Sequence, residues 1–196
     1  IANGHFDSHV RDLAKEIAKK GRLVWIRQMH EFNSENTYQW CLYPFTSAKI
    51  ATFKRALRRL VNIYRQEKAP VKFQLTFMAK NPHNDGTPFS QFYPGRRYVD
   101  HVGVDLYVNA GSRLVSLKVR LEDDVYSQLT QFSKPIFIGE LSCTDKGLDK
   151  AKWIHDAWND LALHFPKISI INWFFEDKGG KRQWNLHSPA EVKAFV

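Results

Sequence analysis

Five short apolar runs, separated by stretches of helical period and joined by no hairpin turn, constrain this 196-residue chain more than any other feature. They are "LVWI" at 23–26, "VKFQLTFM" at 71–78, "VDHVGVDLY" at 99–107, "KPIFIGE" at 134–140 and "ISIINWFF" at 168–175. Runs this apolar suit a sheet covered by helices on both faces, and parallel strands need helical crossovers between them. The expectation is an α/β protein with a mainly parallel sheet.

The intervening stretches carry helix signals. Val10, Leu13, Ala14, Ile17 and Ala18 recur at helical spacing, with Asp7 or Ser8 as the cap and Gly21 as the stop. Ser47 opens a second helix whose apolar positions are Ile50, Phe53, Leu57, Leu60, Val61 and Tyr64. Val125, Leu129 and Phe132 predict a short helix, and Leu148, Ala151, Ile154, Ala157, Leu161 and Phe165 a longer one that Pro166 ends. Ser188, Pro189 and Glu191 form the opening of a closing helix, with the glutamate at the capping-box position. Between Ala79 and Tyr98 neither period holds. Loops of that length inside a domain are usually functional, and Phe89, Phe92 and Tyr93 argue against disorder. Without a linker or repeat, residues 1–196 read as a single domain, or part of one.

Composition closes off other classes. With 43% hydrophobic residues the chain can build a core, but no run approaches the roughly 18 to 20 apolar residues of a membrane span. The start, "IANGHFDSHV", has neither Met nor a signal-type apolar block and looks cut from something longer. Cys41 and Cys143 lack metal-ligand spacing, and they either form one bridge or, the blander reading, stand as two free thiols. His83, His101, His155 and His164 form no metal set, Trp153 and Trp158 read as core, and Lys146 and Asp149 as a solvated loop. Net charge is +9, much of it in one helix at Lys49, Lys54, Arg55, Arg58, Arg59 and Arg65. A basic helix can hold nucleic acid or an acidic polymer. No nucleic-acid module pattern accompanies it here, so it reads as a solvated face.

In parallel α/β folds the working residues gather at the C-terminal ends of strands. The first strand is expected to end in His30, Glu31 and Asn33, the second in Lys80 and Asn81, and the third in Asp105 and Tyr107. The fourth ends in Glu140, and the fifth with Trp173, Glu176 and Asp177. Glutamates closing separate strands suit glycoside chemistry, where one carboxyl protonates the leaving oxygen and the other attacks, or activates water at, the anomeric carbon. Tyrosine and tryptophan supply a hydrogen-bond donor and a flat surface for a sugar ring.

Taken in order, "VWIRQMHEFN", "FYPGRRYVDHVGVDLY", "KPIFIGELS" and "KAKWIHDAWNDLALHFPKISIINWFFED", followed by "QWNL", resemble the C-terminal part of glycoside hydrolase family 26. The resemblance implies a (β/α)8 TIM barrel of which this chain holds about the last five strands, the first three lying before Ile1. An open arc would expose long sheet edges, so the missing N-terminal part of the barrel is the expected partner within the protein. The implied activity is a retaining endo-β-glycanase acting on β-mannan or mixed-linkage β-glucan, the β-mannanase kind of hydrolase, with relatives that act on xylan. Glu31 would be the general acid/base and Glu140 the nucleophile. Tyr107 would donate a hydrogen bond to the nucleophile, His30 would orient the reacting groups, and Trp173 would floor the cleavage site. Asn33, Trp40 and Asp105 would line the cleft wall. The resemblance implies no metal or cofactor, a polysaccharide or oligosaccharide partner, no nucleic acid or membrane, and an extracellular or periplasmic location. One departure stands out: Ser34 follows Asn33 and the next tryptophan is delayed to Trp40, where family members often have Gly and an earlier Trp. The alternative is a catalytically inactive carbohydrate-binding homologue or fragment, against which the intact pair Glu31 and Glu140 speaks.

Overall fold

Gly21 closes the first helix, α1 (Asp7–Lys20), in the left-handed conformation at φ 63°, and its N–H returns to the carbonyls of Ile17 and Ala18. A side chain there would strain the turn. The remaining elements are β1 (Val24–Arg27), α2 (Ser47–Gln66), β2 (Val71–Met78), β3 (His101–Val108), α3 (Leu117–Glu122), α4 (Val125–Thr130), β4 (Ile136–Cys143), α5 (Lys150–His164), β5 (Ile168–Trp173) and α6 (Pro189–Phe195). This computed structural model describes residues 1–111 and 113–196. The strands form one sheet in chain order, with parallel registers pairing Val24 with Val71 and Ile136 with Ile168. The chain divides into two compact units, Ile1–Gly103 and Val104–Val196.

In the first unit, α2 begins at the cap Thr46, whose hydroxyl accepts the Lys49 N–H at 3.2 Å. Its apolar stripe buries Ile50, Phe53, Leu57, Leu60, Val61 and Tyr64. Ala14 and Ile17 of α1, Val61 and Tyr64 of α2 and Phe73 of β2 share one core cluster. Truncating such an aromatic to alanine costs about 3–5 kcal/mol through lost contacts and the cavity left behind. The aperiodic stretch after β2 is packed, as its aromatics suggested. Phe89 and Phe92 are buried, and Phe89 stacks on Phe77 with ring centroids 4.2 Å apart. Short 3-10 turns at Pro82–Asn84, Phe89–Phe92 and Arg96–Tyr98 carry the backbone between these anchors.

In the second unit α4 is the short helix expected around Val125–Phe132, and a second short helix precedes it. The extra one, α3, turns inward only Leu117 and Leu121, too few residues to print a period on the sequence. Ser116 caps it, and Asp124 at φ 64° separates it from α4. Asp149 caps α5 by accepting the Lys152 N–H at 2.9 Å, so it is a helix start rather than part of a solvated loop. Trp153 is buried, with its indole N–H donated to the Val115 carbonyl at 2.8 Å. Strand β4 runs on to Cys143, so Glu140 lies inside the strand instead of closing it. Both cysteines are free thiols. Among the described residues no helix is long and apolar enough to cross a membrane.

Candidate active site

Strand β1 ends at Arg27, so His30, Glu31 and Asn33 of the first unit do not close the strand as expected but follow it through a tight irregular turn. Met29 and Glu31 both have positive φ, 49° and 54°. Non-glycine residues enter that region at a cost of order 1 kcal/mol each, and such strain collects at working sites. The turn is held nonetheless. The Glu31 N–H reaches the Thr76 carbonyl of β2 at 3.1 Å, and Glu31 is itself buried. Asn33, fully buried, uses its side chain as a piece of strand: Oδ1 accepts the Met78 N–H at 2.7 Å, and Nδ2 donates to the Met78 carbonyl at 3.1 Å. Nδ2 also donates to Asn81 Oδ1 at 2.8 Å. The first structural role of Asn33 is therefore to fasten the turn that presents Glu31.

Aromatic rings settle the orientation of His30. Its imidazole meets Tyr38 edge-on with centroids 4.8 Å apart, and Trp40 lies 5.8 Å away. Trp40 stacks on Tyr38 at 4.7 Å, nearly parallel at 8°, and donates its indole N–H to the His30 carbonyl at 2.8 Å. The delayed tryptophan thus returns to the His-Glu turn through a detour of chain.

In the second unit Tyr107 on β3 donates its hydroxyl to Glu140 on β4. Asp105, two residues before Tyr107 and so on the same face of the strand, is fully buried. Trp184 was not singled out in the sequence, yet its ring lies 4.4 Å from that of Tyr107 at 26°. Its indole N–H goes to Asn109 Oδ1 at 2.8 Å, and Phe174 meets it edge-on at 5.5 Å. Trp173 occupies a different place: its ring packs among Trp158 of α5, Phe195 of α6 and Phe175. Its indole N–H donates to the Trp184 carbonyl at 3.1 Å. Trp173 therefore supports the segment that carries Trp184, and the ring stacked on the Tyr107–Glu140 pair is Trp184. Nothing local marked Trp184, because it lies 77 residues beyond Tyr107, in a loop; only "QWNL" drew attention to it.

That loop, from Phe174 to His187, is fastened at several points. The Phe174 N–H bonds the Leu141 carbonyl at 3.0 Å. Lys150 of α5, only 2% exposed, donates to the carbonyls of Gln183, at 2.9 Å, and Asn185. His187 bridges Asp177, at 2.6 Å, and Asp145, at 3.3 Å. Burial works against ionisation of Asp177, but the Asn185 amide and His187 outweigh it and bring its pKa down to about 2. The hydrogen bond to Asp177 in turn raises the pKa of His187.

A family profile described as glycosyl hydrolase family 26 matches residues 3–196. Endoglucanase H of Acetivibrio thermocellus is 30% identical over 200 residues, covering 99% of this chain and 22% of the relative. A Bacillus subtilis mannanase superposes with a TM-score of 0.68 at 19% identity, over 96% of this chain and 50% of that one. A modular endo-β-1,4-mannanase from Cellulomonas fimi gives 0.67 at 16% identity, over 98% of this chain and 46% of that one. At such identities the structural likeness speaks for the fold, that of the (β/α)8 barrel enzymes. The chain spans about half the length of these structures and about a fifth of the curated relative.

Proposed function

Because the chain belongs to glycosyl hydrolase family 26, we propose that the protein it comes from is a retaining endo-β-glycanase, with Glu31 as acid/base and Glu140 as nucleophile. The observation that carries this reading is the hydrogen bond from Tyr107 to Glu140, backed by the ring of Trp184. A phenol fixed against one carboxylate oxygen sets the orientation in which the side chain attacks. In the first step Glu31 gives its proton to the glycosidic oxygen while Glu140 bonds the anomeric carbon and the C–O bond breaks. In the second, Glu31 takes a proton from water, and that water displaces Glu140 with a second inversion, so the β configuration returns.

The endoglucanase and mannanase names among the relatives support a neutral β-linked polysaccharide, β-mannan or mixed-linkage β-glucan, as substrate. The sugar platform stays at Trp173, as the resemblance implies, and Trp184, only 4% exposed, backs the ring of Tyr107 instead of facing a sugar. An enzyme acting on polymers of this kind meets them outside the cell or in the periplasm, and that is the location proposed.

The test measures reducing ends released from β-mannan, mixed-linkage β-glucan and xylan, with both carboxylates varied in the full-length protein. Glu140→Ala abolishes turnover of every substrate, because no glycosyl ester can form. Glu31→Ala keeps appreciable activity on aryl glycosides, whose leaving groups need little protonation. Equal and total loss in both variants on both substrate types, or an α anomer as the first product seen by NMR, would overturn the assignment.

A further inference from the structure

On the outer side of α2, away from the residues discussed so far, a groove of about 520 Å³ runs between that helix, α1 and the turn at Arg96–Tyr98. Its lining includes Arg11, Arg55, Arg58 and Arg59 against a single carboxylate, Asp7. The charge is not incidental to one position. Helix α2 carries Lys49, Lys54, Arg55, Arg58, Arg59 and Arg65 and no acidic residue. Like charges three and four residues apart cost a helix a few tenths of a kcal/mol per pair, and α2 accepts this at Arg55, Arg58 and Arg59.

Local pairing accounts for only part of the cluster. Arg59 is bound by Asp7, with Nε to Oδ1 at 2.7 Å, and Arg11 by Glu67 and Gln66. Arg58 gives its Nε to the Pro94 carbonyl at 2.8 Å and lies 5.6 Å from the centre of the Tyr98 ring. Those contacts fix the plane of its guanidinium without neutralising it. Arg55 is exposed and engages no acid among the described residues. Two uncompensated guanidinium groups, one of them held rigid, therefore stand about 4.5 Å apart along the helix axis, on the scale of one sugar residue. Asn62 and Gln66 add amide groups to the same wall.

We propose that this groove is a second, non-catalytic binding site for a carboxylate-bearing glycan, in which Arg55 and Arg58 grip uronate carboxylates while Asn62 and Gln66 take hydroxyls. Guanidinium forks match carboxylates in two-pronged geometry, and a fork already fixed by Pro94 and Tyr98 loses little freedom on binding. Nucleic acid fits less well. Single strands are held by stacking bases on open aromatic faces, and the Tyr98 ring is already attended by the guanidinium groups of Arg58, Arg65 and Arg97. The choice of a glycan over other polyanions rests on the glycanase reading above; the site itself does not.

Affinity electrophoresis of the full-length protein through gels containing polygalacturonate tests the proposal, and it reads binding without requiring hydrolysis. Polygalacturonate retards the unaltered protein, and its fully methyl-esterified form does not. Arg55→Glu weakens retention about tenfold or more, Arg55→Lys weakens it partially, and Lys193→Glu, an equal charge change on α6, leaves it nearly intact. Thermal melts of each variant establish that it is folded. Equal loss with Lys193→Glu, equal retention by the esterified polymer, or stronger retention by duplex DNA would each overturn the assignment.

Discussion

Tyr107 and Glu140 lie on neighbouring positions of different strands and share one hydrogen bond, the phenol donating to the carboxylate. A bond to a charged group is worth about 1.5–3 kcal/mol when its loss leaves the acceptor unsatisfied. If that interaction strengthens as Glu140 attacks, Tyr107→Phe lowers kcat about ten- to a hundredfold with little change in KM. Trp184→Ala empties a buried site beside Tyr107 and lowers Tm as well as kcat, because the phenol loses its support. Steady-state kinetics on a β-glycan, with a thermal melt of each variant, separates the two effects. Wild-type kcat in Tyr107→Phe would remove the bond from the mechanism.

The pair formed by His187 and Asp177 makes stability depend on pH from both sides. The folded pKa of His187 lies above its ordinary value of 6.5, raised first by the hydrogen bond to Asp177. Its contribution is therefore fully present below 6.5 and is lost as pH rises through the folded value. For Asp177 the folded value is about 2 against an ordinary 3.8, despite the opposing effect of burial, so its contribution is present above 3.8 and fades as pH falls toward 2. The expected Tm is flat between 3.8 and 6.5 and declines on either side. His187→Gln flattens the alkaline decline. A Tm profile of that variant superimposable on the unaltered protein's would refute the pairing as its source.

Thiol chemistry distinguishes the cysteines. Burial pushes the Cys143 thiol up to about 12, so it holds almost no thiolate near neutral pH. Cys41 is half-buried, and its sulfur accepts the Tyr38 N–H at 3.3 Å. Alkylation of the native protein followed by mass spectrometry is expected to label Cys41 and to reach Cys143 only after unfolding. Equal labelling rates would mean that β4 opens readily in the native state.

Much of the architecture was legible because short-range chemistry dictates it. Ser188, Pro189 and Glu191 marked the start of α6, and the structure places the Ser188 hydroxyl on the Glu191 N–H at 3.2 Å. Gly21 marked the end of α1 for a similarly local reason. Strand limits were harder to read. A glutamate after "IFIG" looks like the end of a buried run, but the strand tolerates it because one face of β4 carries polar groups, Glu140 and then Ser142. The left-handed backbone at Glu31 left no trace, since no glycine announces it. Trp184 could not be found by pattern, since it sits in a loop beyond the last strand, and only its packing against Tyr107 marks it.

Lys150 grips its loop through the carbonyls of Gln183 and Asn185, and carbonyls are the same in every residue. The anchorage is therefore blind to which side chains the loop displays. Between Lys178 and Arg182, where Lys178 N–H bonds the Arg182 carbonyl at 2.9 Å, Gly179 and Gly180 hold the tip in left-handed backbone, so exchange is open to the side chains beside the glycines while the glycines themselves stay fixed. The lysine works as a socket, and what is plugged into it is free to differ from one descendant of this scaffold to the next.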